Sequence, residues 1–255
     1  MATVLNLSKE ESLKVLDLRK KTVDDIVVGI PQLANITSRV ALVLDFSGSM
    51  RSLYNDGTVQ SIIERIMPIA MKFDDNGELD LWIFENGFHR LNGVTINNFY
   101  GLAQNIMSQY RMGGTQYAPV INDIYSKYVV EEPAQLPNYV IFITDGDNSD
   151  KAAATQAITK ASGAPIFWQF IGIGNSSFDY LEQLDTMPGR YIDNANFFAI
   201  HNINAMEDKD LYSRLFAEYP SWLQDPKAIQ LINNPTTPPQ NPSGQKKGLF
   251  GKLFG

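Results

Sequence analysis

The chain has 255 residues, 44% of them hydrophobic, so one large α/β domain with short appendages fits better than two equal halves. Its formal net charge is -7 and its 21 Lys and Arg are scattered, which argues against a phosphate-backbone footprint and so against nucleic acid as a partner. There is no cysteine, which excludes disulfides, thiolate metal sites and a cysteine nucleophile and suits a reducing, cytoplasmic setting.

Near the N-terminus, Ser8-Lys9-Glu10-Glu11 has capping-box spacing ahead of Leu13, Val15, Leu16 and Leu18, and the same stretch also reads as an edge strand. Charges interrupt the apolar positions up to Val28, so no signal-peptide core is expected, and no later segment reaches membrane-spanning length. Residues 39–46 form an apolar run without alternation, as a strand buried on both faces of a parallel sheet requires. From 59 to 73 apolar residues recur at helical spacing, with Pro68 inside, which predicts a bent helix.

A strand is predicted over 79–84, after the turn signal Asp74-Asp75-Asn76-Gly77, then a helix over 118–129 and a buried strand over 138–144. A helix over 151–161, a strand over 165–173, a short helix over 178–185, a strand over 196–200 and a closing helix over 208–219 follow. Strands alternating with helices at this spacing imply a doubly wound, mostly parallel central sheet with helices on both faces. Residues 1–35 are then an N-terminal extension and 36–225 the main domain. Residues 226–245 read as a flexible linker, densest in Pro, Asn, Thr and Ser over 233–244, and 246–255 as a short apolar and basic tail.

Ligands in such sheets bind outside the carboxyl ends of the strands. Just past the first buried strand stands Asp45-Phe46-Ser47-Gly48-Ser49, one carboxylate and two hydroxyls within a single turn. Gly113-Gly114-Thr115 presents another hydroxyl ahead of a helix, and Thr144-Asp145-Gly146 ends a second buried strand. Oxygen-only clusters with few carboxylates suit Mg2+, Mn2+ or Ca2+ rather than zinc or copper. A D-x-S-x-S triplet alone usually marks a turn or a helix cap. Its coincidence with Thr115 and Asp145 at the matching positions turns the reading toward a divalent cation, most readily Mg2+.

This trio resembles the metal-ion-dependent adhesion site (MIDAS) of von Willebrand factor A (vWA) domains, as in integrin inserted domains and copines. Met112-Gly-Gly-Thr-Gln-Tyr-Ala-Pro-Val120 is similar to the copine-type threonine loop. Phe73-Asp-Asp-Asn-Gly-Glu-Leu-Asp-Leu-Trp-Ile-Phe84, Thr144-Asp-Gly-Asp-Asn148, Pro165-Ile-Phe-Trp-Gln-Phe-Ile-Gly-Ile-Gly174, Asp193-Asn-Ala-Asn-Phe-Phe198 and Leu211-Tyr-Ser-Arg-Leu-Phe216 resemble the TerF-like group associated with tellurium resistance, with coverage from about Lys14 to Leu223. Larger members of that group carry a TerD-like calcium-binding domain in front, of which only Leu5-Asn-Leu-Ser-Lys9 is reminiscent, so its calcium site is not carried over. The resemblance implies a Rossmann-like fold in which Ser47, Ser49 and Thr115 coordinate an ion by their hydroxyls, with Asp45 and Asp145 bound directly or through water. It also implies an open position for the Asp or Glu carboxylate of a protein partner.

Asp147 and Asn148 are expected to cap the helix at 151–161. His89 and His201 lack partners at metal-ligand or triad spacing, Trp82, Trp168 and Trp222 sit in or beside apolar runs, and Gly172-Ile173-Gly174 lacks the rest of a dinucleotide fingerprint. In the tail, Leu249, Phe250, Leu253 and Phe254 share one face if helical, with Lys246, Lys247 and Lys252 beside them, which suits docking to a second partner or weakly to a membrane. The function expected is a non-enzymatic, metal-dependent protein-interaction module in a tellurium-resistance or chemical-stress system. The rivals are a metal-free scaffold and a Mg2+-dependent phosphotransferase of the haloacid dehalogenase type, which needs a second Asp where this chain has Ser47.

Overall fold

A computed structural model describes residues 7–235. The chain order is α1 (Lys9–Val28), β1 (Arg39–Asp45), α2 (Arg51–Asn55), α3 (Thr58–Phe73), β2 (Leu79–Phe84), β3 (Phe88–Val94) and α4 (Leu102–Gln109), followed by α5 (Ala118–Tyr125) and β4 (Asn138–Thr144). Then come α6 (Lys151–Ala161), β5 (Ile166–Ile173), α7 (Asp179–Thr186), β6 (Ala195–Ile200), α8 (Asp208–Leu215), α9 (Tyr219–Trp222) and α10 (Pro226–Asn233). The strands form one six-stranded sheet in the order β3-β2-β1-β4-β5-β6. Only the β2–β3 pair is antiparallel. The doubly wound, mostly parallel fold expected from the alternation of strands and helices is the fold observed.

The absence of polar alternation in β1 has a direct structural counterpart. Val40, Leu42 and Leu44 enter one buried cluster together with α1, α3 and α8, while Ala41 and Val43 enter the other, formed with α5, α6 and α7. Every residue of β1, β4 and β5 is buried, because helices cover both faces of the central strands. Trp82 and Trp168 are fully enclosed in the second cluster and Trp222 in the first, as the sequence suggested.

Several expectations need correction. Ser8 and Glu11 form a complete capping box, so the N-terminal stretch is a helix and not an edge strand. Within the N-terminal extension this helix packs on the domain. Its Leu16, Val23 and Val27 are buried in the first cluster, and Arg19 pairs with Glu64 (3.7 Å) on α3 and Asp208 (3.1 Å) on α8. Helix α3 continues on both sides of Pro68, as the helical spacing over 59–73 led one to expect. The helix expected over 118–129 passes into a π-helical turn over Ser126–Glu131, and the closing helix stops at Leu215 before resuming as α9. Asp147 and Asn148 do not cap α6: its N-cap is Asp150, which makes no capping bond to its own helix.

The linker boundary also moves. Residues 226–233 are helical, with the Asp225 side chain capping α10 by accepting from Lys227 N at 2.7 Å, and Pro226 in the first turn, where its missing N–H costs nothing. Ala228 and Leu231 are buried in the first cluster. The proline-rich remainder and the tail at 246–255 lie outside the described residues. If α10 is part of the core, Leu231→Ala should cost about 2 kcal/mol or more and lower the melting temperature by roughly 5 °C. An unchanged melt would return this segment to the linker.

Candidate functional site

The parallel strands β1 and β4 are hydrogen-bonded neighbours and end together, so the residues that follow them meet at one edge of the sheet. Asp45, the last residue of β1, is fully buried there. Its Oδ1 accepts from the Ser47 backbone N–H at 2.7 Å and its Oδ2 accepts from the Thr144 hydroxyl at 2.6 Å. From that base a chain of side chains rises to the surface: Ser47 Oγ lies 3.0 Å from Ser49 Oγ, and the Ser49 hydroxyl donates to Asp145 Oδ1 at 2.8 Å. Ser47 is buried, Asp145 half-buried and Ser49 exposed.

Four of the five expected residues, Asp45, Ser47, Ser49 and Asp145, are therefore joined in one hydrogen-bonded cluster. Thr115 is brought to the same edge by its backbone. Gly113 bridges to Ser47 in parallel fashion, and the Gly48 N–H donates to Gly113 O at 3.0 Å. The Thr115 carbonyl accepts from Ser149 N (2.9 Å) and Ser149 Oγ (3.0 Å) in the β4–α6 loop. No hydrogen bond joins the Thr115 hydroxyl to the other four residues.

The glycine pair ahead of Thr115 has a packing reason. A Cβ at Gly113 would stand 2.6 Å from Glu85 Oε2, and one at Gly114 2.4 Å from Asn86 Oδ1. Side chains of the β2–β3 turn thus lie directly against the threonine loop, and a larger residue at 113 or 114 would have to displace them. On the other side Asp150 clamps the loop by accepting from Tyr117 N (2.9 Å) and Ala118 N (2.8 Å). Asp150 therefore serves the start of α5 instead of its own helix, while Asp147 is taken up by Lys151. Tyr117, buried, donates to Gly146 O at 2.6 Å and reaches Thr144 Oγ1 at 3.2 Å, fixing the loop that carries Asp145.

Sequence reasoning missed Thr144, Tyr117, Glu85, Asn86, Ser149 and Asp150. Thr144 was visible only as the residue before Asp145. Glu85 carried a usable signal, since Asn86-Gly87 directly after a strand is a hairpin turn.

Burial raises the Asp45 carboxyl to about 6, against the bonds from Thr144 and Ser47 that favour its charge, and the nearby Asp145 adds a smaller upward push. Burial also raises Asp145, with the Ser49 hydroxyl opposing it. A carboxyl whose folded value exceeds its unfolded one contributes stability that is present below the unfolded value and lost as pH rises through the folded value. Above pH 6 an ionised Asp45 thus costs the fold on the order of 3 kcal/mol. Asp45→Asn should melt no lower than the unaltered protein in EDTA at pH 7.5, with a shallower loss of stability between pH 4 and pH 7. A large drop in its melting temperature at pH 7.5 would make Asp45 a structural anchor instead.

Comparison with known proteins places this arrangement in a family. The vWA-TerF-like model, which describes the vWA domain found at the TerF C terminus, matches residues 37–232. YcbR of Bacillus subtilis (strain 168) is 44% identical over 246 residues, spanning 95% of this chain and 99% of that protein. Nicotinic receptor-associated protein 1 of Caenorhabditis briggsae is 33% identical over 91 residues, 32% of this chain and 14% of that one. Among solved structures, a von Willebrand factor type A protein from Catenulispora acidiphila superposes with a TM-score of 0.50 at 13% identity, over 77% of this chain and 42% of that one. BatB from Bacteroides thetaiotaomicron gives 0.50 at 16% identity, over 70% and 97%. Those two likenesses concern the fold. With the family model covering its core and YcbR covering nearly its whole length, the chain belongs to the vWA-TerF-like family.

Proposed function

We propose that this vWA domain is a metal-dependent protein-interaction module, serving a tellurium-resistance or chemical-stress response, in which Asp45, Ser47, Ser49, Thr115 and Asp145 hold one divalent cation. The observation that carries the reading is the Ser47–Ser49–Asp145 chain standing over a buried Asp45 at the edge where two central strands end. The donor chemistry fits Mg2+, with Mn2+ or Ca2+ as alternatives: every group is a hard oxygen, and the expected residues include two carboxylates. Among the described residues no group of three or more His, Cys, Asp or Glu side chains is arranged for a metal, so the hydroxyls are indispensable to this reading. When bound, such an ion offers an electrophilic position to an oxygen ligand, and an Asp or Glu of a partner protein is the natural supplier.

The chain's own residues do the positioning. Thr144 and the Ser47 N–H hold the Asp45 carboxylate in one orientation, and the Ser149 and Asp150 contacts fix the threonine loop beside it. A non-enzymatic role is favoured by what surrounds the cluster. His89 packs against Tyr110 with the rings tilted and their centroids 4.7 Å apart, and His201 Nδ1 lies 2.9 Å from Asn175 Oδ1, so neither histidine is hydrogen-bonded to the cluster as a general base would be. Ser47 occupies the place of the second carboxylate that the rival phosphotransferase chemistry needs. Among the described residues no helix is long and apolar enough to cross a membrane.

Calorimetric titration with MgCl2, MnCl2 and CaCl2 tests the metal directly. Ser49→Ala and Asp145→Ala should each weaken binding by about tenfold or more while leaving the melting temperature in EDTA unchanged. Affinity should also fall as pH drops from 7.5 to 5, because a proton competes with the ion for an Asp45 carboxyl that titrates near 6. Absence of binding heat with all three ions, together with partner capture that survives EDTA, would leave the metal-free scaffold as the better description.

A further inference from the structure

Beside the cluster lies a cavity of about 320 Å³ lined by Phe46, Arg51, Met107, Tyr110, Arg111 and Met112. It shares both of its supporting segments with the site. Phe46 and Arg51 flank Ser47 and Ser49, and Arg111 and Met112 run into Gly113, whose backbone bridges to Ser47. Whatever occupies one is within a few residues of the other.

Two arginines line it, whereas the arginines elsewhere are occupied: Arg190 pairs with Asp193, Arg39 donates to backbone carbonyls and Arg214 lies over the Phe198 ring. Arg19, Arg65 and Arg90 are each paired with carboxylates. Arg51 and Arg111 are exposed and, among the described residues, make neither an ion pair nor a side-chain hydrogen bond. Two guanidinium groups thus stand without a carboxylate partner in a chain of net charge -7. Guanidinium presents a planar fork of donors suited to carboxylate, and Met107, Tyr110 and Met112 supply apolar wall for the stem of the side chain that carries it.

We propose that this cavity is a second recognition subsite, and that the partner is an acidic peptide segment with at least two carboxylates. One carboxylate is directed to the serine–aspartate cluster, and a second, a few residues away, enters between Arg51 and Arg111. The inference rests on the metal-dependent reading of the adjoining cluster and adds the partner's chemistry to it. The chain's own C-terminal segment is excluded as the occupant by charge, since Lys246, Lys247 and Lys252 would face the two arginines.

The probe is fluorescein-labelled hexaglutamate, followed by anisotropy on the full chain in 5 mM MgCl2 and in EDTA. Arg51→Gln/Arg111→Gln is compared with Lys21→Gln/Lys209→Gln, which removes the same charge from exposed positions elsewhere. In Mg2+ the arginine pair should weaken hexaglutamate binding about tenfold or more, and the lysine pair less than twofold. In EDTA the unaltered protein should keep a weak affinity that the arginine pair abolishes. Mg2+-dependent binding that is indifferent to the arginines would overturn the subsite and spare the metal site. Arginine-dependent binding equal in Mg2+ and EDTA would support the subsite and sink the metal reading. Equal losses in both double variants would reduce the effect to overall charge and overturn the proposal. So would arginine-dependent dimerisation in sedimentation that hexaglutamate does not compete away, because the occupant would then be a second copy. Melting curves of both variants confirm that the fold is intact.

Discussion

The structure turns on a buried carboxylate. Asp45 closes the central strand β1, fully enclosed, with one oxygen held by the Ser47 N–H and the other by the Thr144 hydroxyl. Those two bonds tie the end of β1 both to the turn that follows it and to the end of β4. Burial of a carboxyl among apolar strands is costly in its charged form, and two hydrogen bonds compensate only partly. Its ordinary carboxylate value is therefore raised, so the protonated form is favoured in the fold more than in the unfolded chain.

The loops around Asp45 are interlocked by direct side-chain and backbone contacts. Glu85 and Asn86 press on Gly113 and Gly114 from the β2–β3 turn, Ser149 and Asp150 hold the threonine loop from the β4–α6 side, and Tyr117 fixes the Gly146 carbonyl from beneath. Preorganisation of this kind lowers the ordering cost of binding. Two further carboxylates of the β4–α6 loop are engaged elsewhere: Asp147 is paired with Lys151 and Asp150 accepts from the start of α5.

How much of this could be read in the sequence depended on the source of the signal. Strands buried on both faces announce themselves as unbroken apolar runs, so β1, β4 and β5 were located within a residue or so. Strand β3 was missed because it is an edge strand: Phe88, His89 and Arg90 are exposed and Gly93 interrupts it, leaving little periodicity. Helix α4 was missed because its start rests on Gly101 in a left-handed conformation (φ 70°) in place of a side-chain cap. Helix α10 was hidden by proximity to a proline-rich stretch, although Asp225-Pro226 is itself a helix-start signal. At the site, the residues that present oxygen atoms were legible as a motif. Those that orient them, such as Thr144, Tyr117 and Asp150, act across 27 or more residues of sequence in their contacts and leave no local pattern.

The location of the site is dictated by topology. In the order β3-β2-β1-β4-β5-β6 the chain proceeds outward from β1 toward β2 on one side and from β4 toward β5 on the other. The connections that leave β1 and β4 therefore diverge. The one after β1 carries α3 onto the face of the first hydrophobic cluster, and the one after β4 carries α6 onto the face of the second. Between two diverging connections a crevice must remain at the carboxyl edge, and it opens directly above the paired ends of β1 and β4. The Ser47–Ser49 turn enters it from one side and Asp145 from the other, while the threonine loop descends from α5 to close it. The arginine-lined cavity lies beside that edge through chain continuity, since two of its lining residues, Phe46 and Met112, directly precede Ser47 and Gly113.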